Sequence, residues 1–520
     1  LKIKGGVLMR NIAIVDIGSN SIKLVLAEIK KNNSFKIIDE LKETVRLGEG
    51  IEEDNKLQEG RIKVAIQTLK MFKNLCNATE TKEIIAVATA AVRRADNQEE
   101  FLNRIKEEVE LDVQVLSGEE EGYYDYWGVV NSIDRDNGLI MDIGGGSIEL
   151  IWMKERKVKE CVSLSFGSLD LTRHFNLYDS ITSKQEEQLI KFLTTAFNEV
   201  TWLKDIDCNS LIGVGGTIRN IAKIDQRNND YPLDLLHYYQ LKKSTVNAIY
   251  ELVKNKDLKK RKKISGLSKK RADIFIGATA AVATLMNLYN LDKLLISGKG
   301  IREGLIYNYL YQDKEPNSNV LDFSINNIVN NLNLNKKHAQ HVHKLAKVLY
   351  QELKPLFKLN EEEFEGDIDK ILKTATMLHD AGNSINYYDH HEHSFYMILN
   401  SGINGLSHRE LLISAYIAAS HRHTKYDLRK YNLNRSQFTD IIDRKGDDKE
   451  IIRKFGILVE IAESLDRNMN GLVEDIQCQL EDNRFIIKTI SKEDVELEIN
   501  DALSVSKGFE KLYNKELIIL

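Results

Sequence analysis

The chain has 520 residues, 42% of them hydrophobic and 29% charged, with a formal net charge of −5. That length calls for two or three domains rather than one core, and the composition excludes wholesale disorder. The near-balanced charge sets up no global field for a polyanion, so an anionic ligand has to be caught locally. The four scattered cysteines, Cys76, Cys161, Cys208 and Cys478, contain no CxxC pair; they exclude a disulfide framework or thiolate zinc site and suit a reducing cytosol.

Taken in chain order, residues 1–8 are basic but lead into no signal-peptide core, and they read as a disordered leader with Met9 as the start. No apolar run in the chain reaches the length of a membrane span. Residues 11–15 form an apolar strand that ends in a glycine-containing loop, Asp16-Ile-Gly-Ser-Asn-Ser-Ile-Lys-Leu24. Residues 83–87, 99–109 and 113–116 then read as strand, helix and strand, which is α/β order. The loop recurs after the strand at 139–141 as Asp142-Ile-Gly-Gly-Gly-Ser-Ile-Glu-Leu150, identical at six of nine positions. Each copy is expected to be a hairpin whose backbone N–H groups point into the bend, and two such hairpins can face each other across a cleft.

The residue types in the loops suit a phosphate bound through a cation. Gly18, Gly144, Gly145 and Gly146 let the backbone approach an anion, and Ser19, Ser21 and Ser147 add hydroxyl donors. Asp16 and Asp142 would repel phosphate unless a hydrated magnesium bridged carboxylate and phosphate oxygens; Glu149 returns along the second strand as a further ligand. A single such loop is equally well a structural hairpin, so the repetition carries the reading. Leu211-Ile-Gly-Val-Gly-Gly-Thr217 adds Gly215, Gly216 and Thr217 at a helix N-terminus, and Leu294-Leu-Ile-Ser-Gly-Lys-Gly300, with Arg302 close by, repeats the idea. Ser117 and Glu120 read as a capping box, which leaves Glu121 free to act in a strand-to-helix connection. The basic stretch 259–271 reads first as a solvated helix face and second as a polyphosphate track, with Arg271 pairing with Asp273 as another option.

These motifs together resemble the exopolyphosphatase/guanosine pentaphosphate phosphatase (Ppx/GppA) family of the actin-like ATPase superfamily. The resemblance spans residues 11–310 and includes Val87-Ala-Thr-Ala-Ala-Val-Arg93, Leu116-Ser-Gly-Glu-Glu-Glu-Gly122, Gly266-Leu-Ser-Lys-Lys-Arg-Ala-Asp-Ile274 and Gly300-Ile-Arg-Glu-Gly304. It implies duplicated actin-like (ribonuclease H-like) α/β domains, Glu121 as catalytic base with Glu120 beside it, and Asp142, Glu149 and Asp16 around Mg2+ (or Mn2+). It further implies Asn20, Ser21, Arg93, Gly145, Gly146 and Ser147 as substrate contacts, although from the residues alone Arg93 reads equally well as a surface arginine beside Arg94. Ile148 departs from the family's usual threonine.

Ten of the twelve histidines follow residue 330, after a polar linker at 312–319 that holds Pro316. Residues 320–470 are mostly amphipathic helix and resemble an HD-type domain, with His338, His379, Asp380, His421 and Asp466 as candidate ligands of a second divalent metal. Glu463 stands where that pattern expects its last aspartate, with Asp466 three residues on. His390, His391, His393, His421 and His423 are candidates for another ion, and a metal-bearing module and a structural one both remain open. Residues 471–520 read as a hairpin (475–480 and 485–490), a helix at 502–512 and a closing strand at 516–520. The domains are thus expected at 10–130, 131–311, 320–470 and 471–520.

The expected activity is magnesium-dependent release of the terminal phosphate of polyphosphate or guanosine pentaphosphate to water, by a cytoplasmic homodimer with no DNA or membrane partner. A second reading is a sensor of the same ligands that sets the state of the HD-like domain. A sugar- or acetate-type kinase is a third, although the sequence has no dedicated sugar site.

Overall fold

The structure, a computed structural model, describes residues 2–4, 7–312, 314–357, 364, 366–422, 438, 441–442 and 448–520. The chain divides into two units, Leu1–Ser318 and Asn319–Leu520.

Unit 1 carries one motif twice. In the first sheet the strands Phe35–Glu43, Ile22–Lys30, Val7–Ile17, Glu83–Ala88 and Val113–Val115 lie side by side in that order. The first three are antiparallel, and the last two run parallel to Val7–Ile17. The second sheet repeats this with Lys157–Leu164, Ile148–Lys154, Gly138–Ile143, Ser210–Val214 and Lys293–Ile296, plus the edge strand Gln240–Lys242. Matching order and direction in both halves identify an actin-like duplication. The leader expected at residues 1–8 is corrected: Lys2–Lys4 pairs antiparallel with Val7–Met9.

Strand parity explains both the apolar runs and the placement of the acids. Successive side chains of a strand point to opposite faces. In the first sheet Ala13, Val15 and Ile17 enter a core shared with Ile62, Leu69, Phe101 and Ile105 of the helices Glu59–Ala78 and Gln98–Val109. Ile12 and Ile14 enter a second core with Leu305 and Ile306 of the helix Ile301–Tyr311. Both faces are therefore covered, as an uninterrupted apolar strand requires. Asp16 has the parity of Ile12 and Ile14. In the second sheet Leu139, Met141 and Ile143 enter the large core, so Asp142 emerges on the other face.

Unit 2 begins with the helices Val320–Leu332, Lys336–Leu353, Ile368–Leu378, His390–Asn400, His408–Ala419 and Asp448–Ser464. Lys336–Leu353 buries His338, Ala339, Val342, Leu345, Ala346, Leu349 and Leu353, an apolar stripe at helical spacing that begins with a histidine. A three-stranded sheet follows, in which Arg484–Ile490 pairs antiparallel with Asp475–Leu480 and parallel with Glu516–Ile519. The single helix expected at 502–512 is instead two, Glu496–Leu503 and Ser506–Tyr513. No helix among the described residues is long and apolar enough to cross a membrane.

Candidate active site

The two glycine loops close in the same way. Gly18 N–H donates to the Ser21 carbonyl (3.2 Å) and Gly144 N–H to that of Ser147 (3.0 Å). Their outer carbonyls are held alike: Ser19 and Asn20 accept from Gly48 and Arg46, and Gly144 and Gly145 accept from Ser168 and Leu169. The tips meet, since a Cβ on Gly145 would lie 3.1 Å from that of Ser19. A cleft opens between them, and Asp16 and Asp142 both line it.

Asn20, Ser21, Gly145, Ser147, Gly215, Gly216 and Thr217 line the same cleft, as do Glu121, Lys23 and Arg271. Gly215 and Gly216 open the helix Gly215–Asn228. Gly215 has φ +83°, and a Cβ there would fall 2.0 Å from Asp142 Oδ1. A Cβ on Gly216 would lie 2.3 Å from the guanidinium of Arg271, whose Nη1 donates to Thr217 Oγ1 (2.9 Å). The expected Arg271–Asp273 pair is therefore corrected, because Asp273 pairs with Arg46 (3.2 Å). Arg261, from the basic stretch, is fully buried and donates to the carbonyls of Ala272, Lys256 and Tyr178. It is a strut and not part of a solvated face.

Glu120 is corrected as a catalytic candidate. It is exposed, and its carboxylate accepts from Ser117 N–H (2.7 Å) in the capping box that starts the helix Gly118–Val130. Glu121, the next residue, is 9% exposed and receives Arg93 Nη1 at 3.1 Å. Arg93 also donates to the Leu116 carbonyl (2.7 Å), so in this structure it positions Glu121. Gly146 packs behind the cleft against Arg94, Ser19 and Ala90.

The carboxylates are buried and mutually repulsive. Burial pushes Glu121 up to about 7; Arg93 pulls it down, while Asp142 and Asp16 add to the rise. Burial also raises Asp142, with Lys23 and Arg219 opposing and Asp16 reinforcing. Glu149, which faces Asp142 across the hairpin, is held well above the usual range by burial, then by Glu121 and Asp142. Its Oε1 accepts from Ser163 Oγ (2.8 Å), and its Oε2, like Asp142 Oδ1, has no hydrogen-bond partner.

Three further residues at or beside the cleft, Asp125, Lys23 and Arg271, were not singled out as site residues from the sequence. Asp125 is 1% exposed with both oxygens unpartnered, and burial and the neighbouring acids hold it protonated-prone. It lies four residues after Glu121 on one helix face, a spacing that was legible once 118–130 was known to be helix. Lys23 occupies the register position of Glu149 in the first hairpin and binds Asp16 at 2.9 Å. Arg271 is the third. Lys23 and Arg271 bring positive charge to the cleft; partial burial, then Arg271, Lys23, Arg219 and Arg302, push the Lys42 ammonium down to about 8.

The model of the Ppx/GppA phosphatase family matches residues 25–313, and that of domain III of the same phosphatases matches residues 320–488. The chain belongs to the Ppx/GppA phosphatase family. It is similar to the Aquifex aeolicus Ppx/GppA member, at 33% identity and a TM-score of 0.52, over 59% of this chain and 100% of that one. An exopolyphosphatase from Cytophaga hutchinsonii shares the fold at 24% identity and a TM-score of 0.56, over 59% of this chain and 100% of that one. A bifunctional 3-dehydroquinate synthase/phosphatase of Fusobacterium nucleatum is 31% identical over 299 residues, 55% of this chain and 44% of that protein. This Ppx/GppA chain thus spans less than half the length of that curated relative.

In unit 2, His338, His379, Asp380, His390 and His421 come together. Asp466, not Glu463, reaches His338: its Oδ2 accepts from Nδ1 at 2.8 Å and its Oδ1 from Gly471 N–H. Glu463 faces Arg422 (3.5 Å) and Arg467 (3.7 Å) instead. His391 groups with Asp389 and Glu392, His393 joins no such group among the described residues, and His423 lies outside them.

Proposed function

We propose that unit 1 hydrolyses the terminal phosphoanhydride of inorganic polyphosphate or guanosine pentaphosphate, releasing orthophosphate to water with Mg2+ or Mn2+ as cofactor. The observation that supports this best is that the twin glycine turns, Lys23 and Arg271 line one cleft with Glu121. Terminal phosphoryl transfer to water needs that combination of cradle, positive charge and a base.

The orphaned, buried Asp142 Oδ1 and Glu149 Oε2 fit a hard divalent cation, with Asp16 across the cleft as a further ligand. Bound there, the ion supplies positive charge against the non-bridging phosphate oxygens. The chain's own groups do the rest. Backbone N–H groups of the two turns and of Gly215 and Gly216 hold the phosphate, with the Ser147 and Thr217 hydroxyls beside them. Arg271 and Lys23 take the remaining negative charge. Glu121 Oε accepts the proton of the attacking water, and Arg93 fixes the direction of that carboxylate.

For unit 2 we propose an HD-type module in which His338, His379 and Asp380 hold a divalent ion. The resemblance further implies a cytoplasmic homodimer, which sedimentation of the full chain checks.

The deciding experiment is a phosphate-release assay on both substrates with wild type, Glu121→Ala and His379→Ala. Release lost with Glu121→Ala alone is expected. Loss with His379→Ala alone would move the chemistry to unit 2, and tight binding without release would make the chain a sensor.

A further inference from the structure

Lys42 stands on the edge strand Phe35–Glu43, directly opposite Lys23 of the strand Ile22–Lys30. Residues paired this way project from one face of the sheet with Cβ atoms about 5 Å apart, so their ammonium groups are neighbours. Lys23 lines the cleft. Lys42 does not line it; it is exposed and, among the described residues, has neither an ion pair nor a hydrogen-bond partner. The chemistry proposed for unit 1 makes no use of it.

Its surroundings are cationic and only partly compensated. The strongest charges acting on Lys42 are those of Arg271, Lys23, Arg219 and Arg302, all positive. Two of these have carboxylate partners: Lys23 binds Asp16 at 2.9 Å, and Arg302 binds Glu40 and feels Glu303. The other two do not. Arg271 donates to the Thr217 hydroxyl (2.9 Å) and Arg219 Nε is buried without a hydrogen-bond partner. Neither guanidinium has an ion pair among the described residues. Burial, then Arg219, push the Arg271 guanidinium down as well.

Only one of these five cations can relieve the crowding by giving up a proton. Arginine stays charged at any pH a folded protein meets, and the Asp16 carboxylate holds the proton on Lys23. That leaves Lys42, whose ammonium is pushed down to about 8. At pH 8 roughly half of such an amine is neutral, against under about 1% of an ordinary lysine. Placing a lysine beside other cations is one way in which proteins turn it into a nucleophile.

We propose that Lys42 is a modification site, acylated at Nζ by acyl phosphates, which the surrounding cations attract by their phosphate end. The neutral Nζ adds to the acyl carbon, an amide C–N bond forms, and the C–O bond to phosphate breaks. Orthophosphate leaves with the electron pair of that bond, and the surplus amine proton passes to it or to solvent. No oxidant or further reactant is needed. Acylation removes one positive charge beside the cleft and so weakens its hold on a polyphosphorylated anion. That consequence rests on the phosphohydrolase reading of unit 1; the acylation itself does not, because it requires no turnover.

The test incubates the full chain with acetyl phosphate in magnesium-free buffer and follows each lysine by mass spectrometry. Lys184 and Lys191, exposed on the helix Ser183–Glu199, are the reference. At pH 8 Lys42 is expected to react about tenfold faster than either, or more, and its rate should rise with a midpoint near pH 8. Arg271→Gln should slow it, and tripolyphosphate should protect Lys42 but not the reference lysines. An uncharged acetyl ester should show a smaller preference. Lys42 labelled no faster than Lys184 and Lys191 would overturn the proposal. Faster labelling by acetyl coenzyme A, or an equal preference with the uncharged ester, would overturn acyl phosphate as the donor. In the phosphate-release assay Lys42→Gln, which imitates the acylated side chain, should raise KM several-fold at nearly constant kcat, whereas Lys42→Arg should keep KM close to that of wild type. An unchanged KM in Lys42→Gln would overturn the effect on substrate binding. Absence of release by wild type would overturn the reading of unit 1 and leave the acylation standing.

Discussion

Glu121 is the residue on which the proposed chemistry turns. Replacing it with alanine is expected to lower phosphate release about 10²–10⁴-fold, the usual worth of a positioned base, in a steady-state assay. Because the carboxylate has to be ionised to accept a proton, release should climb as pH rises through about 7. Arg93 pulls this group down, so Arg93→Gln should move that limb to higher pH. A limb near 4.5 in both proteins would contradict the assignment. Stability has the opposite sign. The folded carboxyl binds its proton more tightly than the unfolded one, so its contribution is complete below pH 4.5 and is lost as pH rises through about 7. Asp125 and Glu149, also raised, act in the same direction. The melting temperature of metal-free protein should therefore fall across that window, and Glu121→Gln should flatten the fall.

At the scale of elements, the turn before the helix Gly215–Asn228 is built around the Asp142 side chain. Alanine at 215 combines a left-handed backbone, worth roughly 1–2 kcal/mol, with a Cβ 2.0 Å from a carboxylate oxygen. Gly402 is a matched control, with φ +66° and nothing within 4 Å of its Cβ position. Gly215→Ala should therefore lose more stability to denaturant than Gly402→Ala, and only Gly215→Ala should also lose phosphate release. The elements that sequence could reveal are those whose signal is local. The paired glycine loops, the Ser117–Glu120 cap and the 312–319 break follow from short-range backbone chemistry. Hidden from that reading were partners brought together across the chain: Arg93 on Glu121, Arg271 on Thr217, and Lys42 among the cationic groups. Asp466 against His338 is the same case over 128 positions, and it is why the pattern shifted from Glu463 stayed ambiguous.

For the whole molecule, each unit has its own buried interior, and the segment before the division belongs to the first. Arg156 Nη2 donates to the Asn317 carbonyl (2.9 Å), and Asn317 N–H donates to Asn131 Oδ1 (3.0 Å). A chain ended after Ser318 keeps these ties, and it is expected to melt cooperatively and to release phosphate from short polyphosphates. One ended near residue 311 should melt lower. Thermal melts of the two fragments, followed by circular dichroism, check this.

One difference between the duplicated hairpins falls beside their aspartates: Lys23 pairs with Asp16, and Glu149 pairs with Asp142. The first half thus carries a counter-charge as a permanent part of the polypeptide, whereas the second, on the proposed reading, borrows one from solution. A magnesium titration of phosphate release should accordingly follow a simple hyperbola with a Hill slope near one. Lys23→Glu would make the two halves alike, and the response should then steepen as a second ion is recruited.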